Sequence, residues 1–393
     1  MLNFNLHTTT EIVFGKDIEE QIGPRLKEFG AHRILVHFGG SSARTSGLLD
    51  RVEKSLFAAG LAFVELGGVS PNPKVSLVRK GIALAEREGI DFVLAVGGGS
   101  VIDSAKAIAM GVATKTDPWQ FASTGTKPDT TLPVGTVLTL AASGSESSNS
   151  CVLTNEETKE KRGITSETNR PRISFLDPEN TYTVSKFQTG CGIVDIMMHT
   201  MERYFTTEQH VELSDELAEG LMRTVKTFVP EALANPKSYP ARANLLLAGA
   251  KSHDGLTGLG RVGDFACHAI EHEIGAMFDV AHGAGLTAIW SSWAKYVIDV
   301  DPERFAQFAV NVWGVQNNFH DAKETGLRGI DAWDEWCHSI NLPTSLHELG
   351  IDPTDEQIHE MAQGAVDARG GDHAGAFMEL HVEDIENILK NAR

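Results

Sequence analysis

The sequence predicts two domains of different class, an α/β domain with a parallel sheet over residues 1–185 and an all-helical domain over residues 186–393. Three observations predict this. Up to about residue 185 short apolar runs alternate with stretches of helical periodicity, the pattern of strands joined by crossover helices. Beyond residue 186 the 3.6-residue period persists but strand alternation disappears. Between an apolar strand and an amphipathic helix stand three consecutive glycines, Gly97, Gly98 and Gly99.

The elements follow in order. Arg33-Ile-Leu-Val-His-Phe38 reads as a strand that stops at Gly39-Gly40, residues 47–59 carry helical spacing, and Leu61-Ala-Phe-Val-Glu65 reads as the next strand. Pro71-Asn-Pro73 breaks the chain before a helical stretch over 74–88, and Asp91-Phe-Val-Leu-Ala-Val96 is almost continuously apolar, as a strand covered on both faces must be. In the second domain helical windows lie near 189–206, 211–234, 240–256, 262–278 and 283–298, and helical patterns with turn punctuation continue to residue 393. No internal repeat or low-complexity segment interrupts them.

Composition excludes several classes. At 393 residues with 41% hydrophobic and 22% charged side chains, the chain is ordinary globular material rather than disordered or fibrous. A formal net charge of −19 opposes any sequence-independent grip on phosphate backbones, so neither nucleic acid nor an anionic membrane surface is an expected partner. Cys151, Cys191, Cys267 and Cys337 stand far apart with no Cys-x-x-Cys pair, which suggests neither a disulfide framework nor a thiolate zinc site and fits a reducing cytoplasm. No run of 18 apolar residues and no leader-like N-terminus is present, so a soluble cytoplasmic protein is expected.

Three segments of the first domain suit a nucleotide. In Val96-Gly-Gly-Gly-Ser-Val-Ile-Asp103-Ser-Ala-Lys106 the glycines permit a tight turn, and free N–H groups at a helix start favour an anion. Ser100 and Asp103 have the spacing of an N-cap and its third helical residue. The segment fits neither the Gly-x-Gly-x-x-Gly nor the Gly-Lys-Ser/Thr phosphate motif, and strand–glycine–helix turns also serve simply as connections. Thr136-Val-Leu-Thr139-Leu-Ala-Ala-Ser143-Gly-Ser-Glu146 runs from a strand into small residues and hydroxyls that suit a nucleotide groove, or a buried strand with a capped helix start. At the end of the early strand, Gly39, Gly40, Ser41, Ser42 and Arg44 occupy the place where NAD-selective sites hold the ribose with an acid, which leans towards a phosphorylated ribose and NADP.

The second domain carries a metal-ligand pattern. Asp195 and His199 are four apart on one helical face, His268 and His272 repeat that spacing on another, and His282 opens the next. A single helical histidine is more often solvated or satisfied in the core, but five such residues in apolar, small-residue surroundings can converge on a cation. One carboxylate with imidazoles and no thiolate suits Fe²⁺, Zn²⁺ or Co²⁺ better than Mg²⁺ or Ca²⁺. No His-Glu-x-x-His motif is present.

In this order the glycine loop, the small-residue loop and the Asp/His set resemble the iron-containing alcohol dehydrogenase family, in particular its butanol-dehydrogenase-like branch. The likeness extends through Asn155 to Lys161, Leu176-Asp-Pro178, Gly192 to His199, Gly263 to His272 and Asp279 to Gly285. It implies a Rossmann-like nucleotide domain and a helical metal domain in the dehydroquinate-synthase-like architecture. It implies hydride transfer between NADP(H), preferred over NAD(H), and a small alcohol or aldehyde, with one divalent metal, Fe²⁺ or Zn²⁺, and a homodimer. By the same resemblance Asp195, His199, His268 and His282 hold the metal, and His272 lies near the nicotinamide as the catalytic proton relay. Gly97, Gly98, Gly99 and Ser100, with Asp103 beside them, meet the pyrophosphate, Thr136, Thr139, Ser143 and Lys161 follow the rest of the nucleotide, and Gly39, Gly40, Ser41 and Ser42 meet the 2′-phosphate. Leu138-Thr-Leu-Ala-Ala stands where the family commonly has Pro-Thr-Thr-Ala-Gly, so Leu140 replaces a threonine. Two rivals are a dehydroquinate-synthase-like enzyme and a metallohydrolase, each acting on a phosphorylated substrate; nicotinamide binding separates the hydrolase from the dehydrogenase.

Overall fold

The computed structural model describes residues 1–393. From the N-terminus the elements are β1 (Glu11–Phe14), α1 (Ile22–Glu28), β2 (Arg33–Phe38), α2 (Ser42–Thr45), α3 (Leu48–Ala58), β3 (Ala62–Leu66), α4 (Val75–Glu88), β4 (Phe92–Gly97), α5 (Gly99–Thr114) and α6 (Pro118–Thr124). There follow β5 (Val134–Leu138), β6 (Ser150–Asn155), β7 (Glu160–Thr165) and β8 (Ile173–Leu176). The helical part comprises α7 (Lys186–Tyr204), α8 (Glu212–Ala234), α9 (Tyr239–Ser252), α10 (Ala266–Phe278), α11 (His282–Val297), α12 (Pro302–Phe308), α13 (Ala322–Ser339), α14 (Asp355–Asp367) and α15 (Val382–Asn391).

The α/β unit is built on a six-stranded, wholly parallel sheet in the order β1-β8-β5-β4-β2-β3. Side-chain alternation divides its apolar residues between two cores. Ile34, Val36, Phe92, Leu94 and Val96 face α1 and α3, while Leu35, Val93 and Ala95 join α4 and α5. The central β4 and β5 are buried along their length, whereas the edge strands β1 and β3 are partly exposed. Register Phe38↔Val96 sets the end of β2 level with that of β4, so the Gly39–Gly40 turn and the triple-glycine turn leave the sheet side by side. The β6–β7 antiparallel hairpin, with Asn155 opposite Glu160, was not foreseen from the sequence.

The chain forms two units. One holds His7–Val184 with Pro236–Ala250, and the other Met1–Leu6, Ser185–Asn235 and Lys251–Arg393. Two segments therefore lie opposite to the simple division at residues 185 and 186. Most of α9 belongs to the α/β unit because Leu246 and Ala250 enter its core and Ser147 Oγ donates to the Ala250 carbonyl. Residues 1–6 belong to the helical unit, where the Met1 ammonium donates to Gln209 O at 2.7 Å and Leu2 N to Gly260 O at 2.8 Å. An aromatic cluster fills the middle of that unit, with Phe205 and Phe305 ring centroids 4.5 Å apart and Trp290 and Trp333 5.0 Å apart. No helix is long and apolar enough to cross a membrane.

Candidate functional site

In the α/β unit β4 ends at Gly97 and α5 begins at Gly99, with Gly98 at the N-cap position and no side chain capping the terminus. Ser100 is therefore inside the first turn rather than at the cap: the helix starts two residues earlier than its spacing with Asp103 suggests, because the glycine backbone turns directly out of the strand. The loop after β5 lies against this turn. Thr139 N donates to Gly97 O at 3.1 Å, and a Cβ on Gly99 would stand 2.6 Å from Ser143 Oγ. Gly97, Gly98, Gly99, Ser100, Thr139 and Ser143 thus share one small, partly open surface whose first-turn N–H groups suit an anion.

Asp103 and Lys106 brace this surface from behind. Asp103 accepts from Ser145 Oγ at 2.6 Å and from Val152 N at 3.0 Å. The Lys106 ammonium, completely buried, donates to the carbonyls of Ser145, Ser148 and Ser150 at 2.7, 3.0 and 2.7 Å. Burial lowers its pKa against the pull of Asp103. Thr136 needs correction as a nucleotide contact: it sits inside β5 between Ala95 and Ser174 with no exposed surface, since β5 is flanked on both sides. Lys161 is buried on β7 opposite Thr154.

At the end of β2 the glycines are not demanded by the backbone. Neither Gly39 nor Gly40 has a positive φ, a Cβ on Gly39 would make only ordinary contacts at 3.4 Å or more, and one on Gly40 would meet nothing. Ser41 and Ser42 are exposed. Behind them His37 is buried, with Nδ1 2.8 Å from Leu66 O and Nε2 2.8 Å from Ser104 Oγ on α5. The carbonyl can only accept, so Nδ1 carries the proton and Nε2 accepts from the serine.

In the helical unit three residues converge. Asp195 Oδ1 on α7 lies 3.6 Å from His268 Nε2 on α10 and 3.7 Å from His282 Nε2 at the first turn of α11. The three form a compact candidate ligand group. Asp195 Oδ1 and His268 Nε2 are both buried with no hydrogen-bond partner, although such atoms are normally satisfied. A divalent cation accepting one carboxylate oxygen and imidazole nitrogens fits that pair of orphaned atoms and that donor set. The geometry arises from backbone contact: a Cβ on Gly283 would stand 2.2 Å from Cys191 O, so only glycine lets α11 begin so near α7.

His199 stands beside this group. Its Nδ1 is 3.0 Å from Asp195 O and 2.9 Å from Asp195 Oδ1, and its ring lies 4.5 Å from that of His268 and 4.0 Å from that of His253. His272 lies 5.9 Å from the His282 ring and forms a second group with Glu271 and His282. Burial opposes charge on Asp195, yet His199 and His282 hold its carboxyl well below the usual range. Burial drives His199 down to about 4, while for His268 the carboxylates of Asp195 and Glu202 overcome burial and lift it to about 9.

Sequence reasoning missed the carboxylates that orient these rings. Glu202 Oε1 lies 3.0 Å from His268 Nδ1 and also accepts from His268 N at 2.9 Å; Glu271 Oε2 pairs with His282 Nδ1. Each leaves Nε2 turned towards Asp195, the usual way of fixing a metal-binding tautomer. Their helical spacing was a usable signal, since Glu202 follows His199 by three residues and Glu271 follows His268 by three. Asp264 was also missed. It accepts from Ala266 N at 3.1 Å, Ala376 N at 2.7 Å and Phe377 N at 2.8 Å, tying the C-terminal loop to the start of α10.

Comparison with known proteins places this geometry. The family model for iron-containing alcohol dehydrogenases matches residues 9–178, and that for the C-terminal part of the Fe-containing alcohol dehydrogenase family matches residues 189–393. The chain is 40% identical over 390 residues to the probable NADH-dependent butanol dehydrogenase 1 of Bacillus subtilis, covering 99% of each. It is 34% identical over 355 residues to the NADPH-dependent aldehyde reductase YqhD of Escherichia coli, covering 90% of each. The crystal structure of NADH-dependent butanol dehydrogenase A from Thermotoga maritima superposes with a TM-score of 0.95 at 37% identity, over 100% of this chain and 99% of that one. The chain therefore belongs to the iron-containing alcohol dehydrogenase family, with the alcohol dehydrogenase or aldehyde reductase activity, nicotinamide cofactor and divalent metal that this membership carries.

Proposed function

We propose that this protein interconverts a short-chain alcohol and its aldehyde in the cytoplasm as a homodimer, with NADP(H) preferred over NAD(H) and Fe²⁺ or Zn²⁺ held by Asp195, His199, His268 and His282. The observation that carries the reading is the convergence of Asp195 Oδ1, His268 Nε2 and His282 Nε2, the first two buried and without a hydrogen bond. A butanol-like substrate follows from likeness to the butanol dehydrogenases. Four buried cysteines that remain free thiols support a reducing compartment. Exposed Met1, Leu2, Phe4 and Leu6 supply apolar surface for a second copy, which light scattering tests by showing twice the chain mass.

When bound, the metal supplies Lewis acidity towards the substrate oxygen, and the nicotinamide gives or takes the hydride. The chain's own residues do the rest. Glu202 and Glu271 fix His268 and His282 with Nε2 as the donor atom. The first turn of α5, with Ser143 across from it, binds the pyrophosphate, and Thr139 and Lys161 follow the nucleotide. Asp103 braces the loop at this cofactor surface. His272, beside His282 and outside the ligand set, passes the alcohol proton to solvent. Full activity of His272→Ala at every pH, with metal retained, would remove that role.

The NADP preference rests on Gly39, where an acid would fit sterically but none is present. A preference for NAD(H) has one observation in its favour, the pairing of Arg44 with Glu65. The test is reduction of butyraldehyde by NADPH and by NADH, run on Fe²⁺-loaded, Zn²⁺-loaded and chelator-treated protein. Metal-dependent turnover with the higher kcat/KM for NADPH is expected; faster turnover with NADH would reverse the cofactor assignment, and binding of neither nucleotide would sink the whole reading.

A further inference from the structure

Beside the proposed ribose site stands a charged cluster that hydride transfer does not use. The Arg44 guanidinium lies 5.6 Å from the centroid of the Phe38 ring, at the residue that leads into Gly39 and Gly40. Its Nη2 pairs with Glu65 Oε2 on β3 and stands 3.5 Å from Glu53 Oε1 on α3, while Nη1 is 3.9 Å from Asp50 Oδ1. One cation thus faces three carboxylates. Glu53 and Glu65 also crowd each other: burial, and then the neighbouring Glu65 carboxyl, raise the Glu53 pKa. Asp50 is largely exposed and Arg44 about half, whereas Glu53 keeps only 23% of its side-chain surface.

The arrangement matters for a ribose 2′-phosphate. Such a group carries between one and two negative charges at neutral pH and is best bound by a free guanidinium fork. Here the fork is occupied and its surroundings are acidic, yet the backbone beside it is open and offers the Ser41 and Ser42 hydroxyls. We propose that Glu65, supported by Glu53 and Asp50, sets how strongly the nucleotide site distinguishes NADP(H) from NAD(H), by holding Arg44 away from the 2′-phosphate. Arg44 is the residue that recognises the phosphate, and Glu65 is the residue that limits the recognition. This rests on the proposed dinucleotide site at Gly97–Ser100 and Gly39–Ser42.

The 2′-phosphate can be tested apart from catalysis with two fragments, 2′,5′-ADP and 5′-ADP, titrated calorimetrically into the intact protein at fixed ionic strength. Glu65→Gln keeps the side-chain size and removes the charge; it should raise the affinity ratio of 2′,5′-ADP to 5′-ADP about tenfold. Glu53→Gln should raise it less, and Arg44→Ala should lower it. In the Arg44→Ala background, Glu65→Gln should lose most of its effect, since its influence passes through the guanidinium. A ratio within twofold of the parent in both glutamine variants would overturn the proposal. So would an equal gain for both nucleotides, or a full Glu65→Gln effect without Arg44, because each would mean a general field rather than a restrained arginine. Binding of neither fragment to any variant would overturn the dinucleotide site itself and this inference with it.

Discussion

Glu202 and Glu271 decide what His268 and His282 can do. An imidazole with a free choice of tautomer presents a ligand nitrogen only part of the time, whereas one whose Nδ1 proton is held by a carboxylate presents Nε2 always. Glu202→Gln should therefore weaken metal binding about 10- to 100-fold while leaving the fold intact, measured as metal content after dialysis against graded chelator. Metal content equal to the parent would mean that Asp195 alone orients the ring. His37 supplies a prediction of a different kind. Burial depresses its pKa from 6.5 to about 4, so the folded state binds fewer protons than the unfolded state in that interval. Stability present above about pH 6.5 is consequently lost as the pH falls through 4, by roughly 3 kcal/mol in all. Denaturant unfolding of His37→Gln between pH 4.5 and 7 should lack this component; the same acid sensitivity in the variant would assign the effect to other groups.

Among elements, α11 owes its position to Gly283 and Gly285, which do different work. A Cβ at 283 meets the backbone of Cys191, at 2.2 Å from its O and 2.7 Å from its Cα, and helix backbones cannot yield without moving α7 or α11. A Cβ at 285 meets the Glu271 side chain at 2.9 Å, and a side chain can turn aside where a backbone cannot, here by giving up its pairing with His282 Nδ1. Gly283→Ala should therefore lose metal binding and about 1–3 kcal/mol of stability or more, whereas Gly285→Ala should cost less stability but still weaken metal binding, because the displaced Glu271 no longer holds His282. Metal analysis with thermal unfolding checks the ranking, and equal behaviour of the two variants would refute it. These contacts also mark how far the sequence could be read. The i, i+4 pairs place Asp195 with His199 and His268 with His272 on shared faces from periodicity alone, but whether His268 or His272 faces Asp195 depends on how closely two helices approach. His268 faces Asp195, and His272 groups with Glu271 and His282, for tertiary reasons that no window of sequence contains. The misplaced cap at Ser100 has a simpler cause, since its spacing with Asp103 imitates a capping box while Asp103 is engaged by Ser145 and Val152.

Over the whole molecule, the class of each half was legible because strands covered on both faces and amphipathic helices have distinct periods. The crossings of the chain between its units were not, because they are settled by long-range contacts. Helix α9 carries the same helical period as its neighbours, yet Leu246 and Ala250 complete the core that α4, α5 and the β6–β7 hairpin build. Stability should follow that core rather than the order of the chain. Leu246 has no exposed surface, so Leu246→Ala removes buried methyl groups and leaves a cavity, at a cost of about 2–5 kcal/mol. The loss should appear in the α/β unit, although the substitution lies on a helix between two long helices of the other unit. Hydrogen exchange read by mass spectrometry distinguishes the possibilities: faster exchange in β6, β7 and α5, with α7, α8 and α10 near the parent rate, is the expected pattern. Faster exchange confined to α7 and α8 would show that α9 is energetically part of the helical unit, and an even rise across all segments would show that the two units unfold as one.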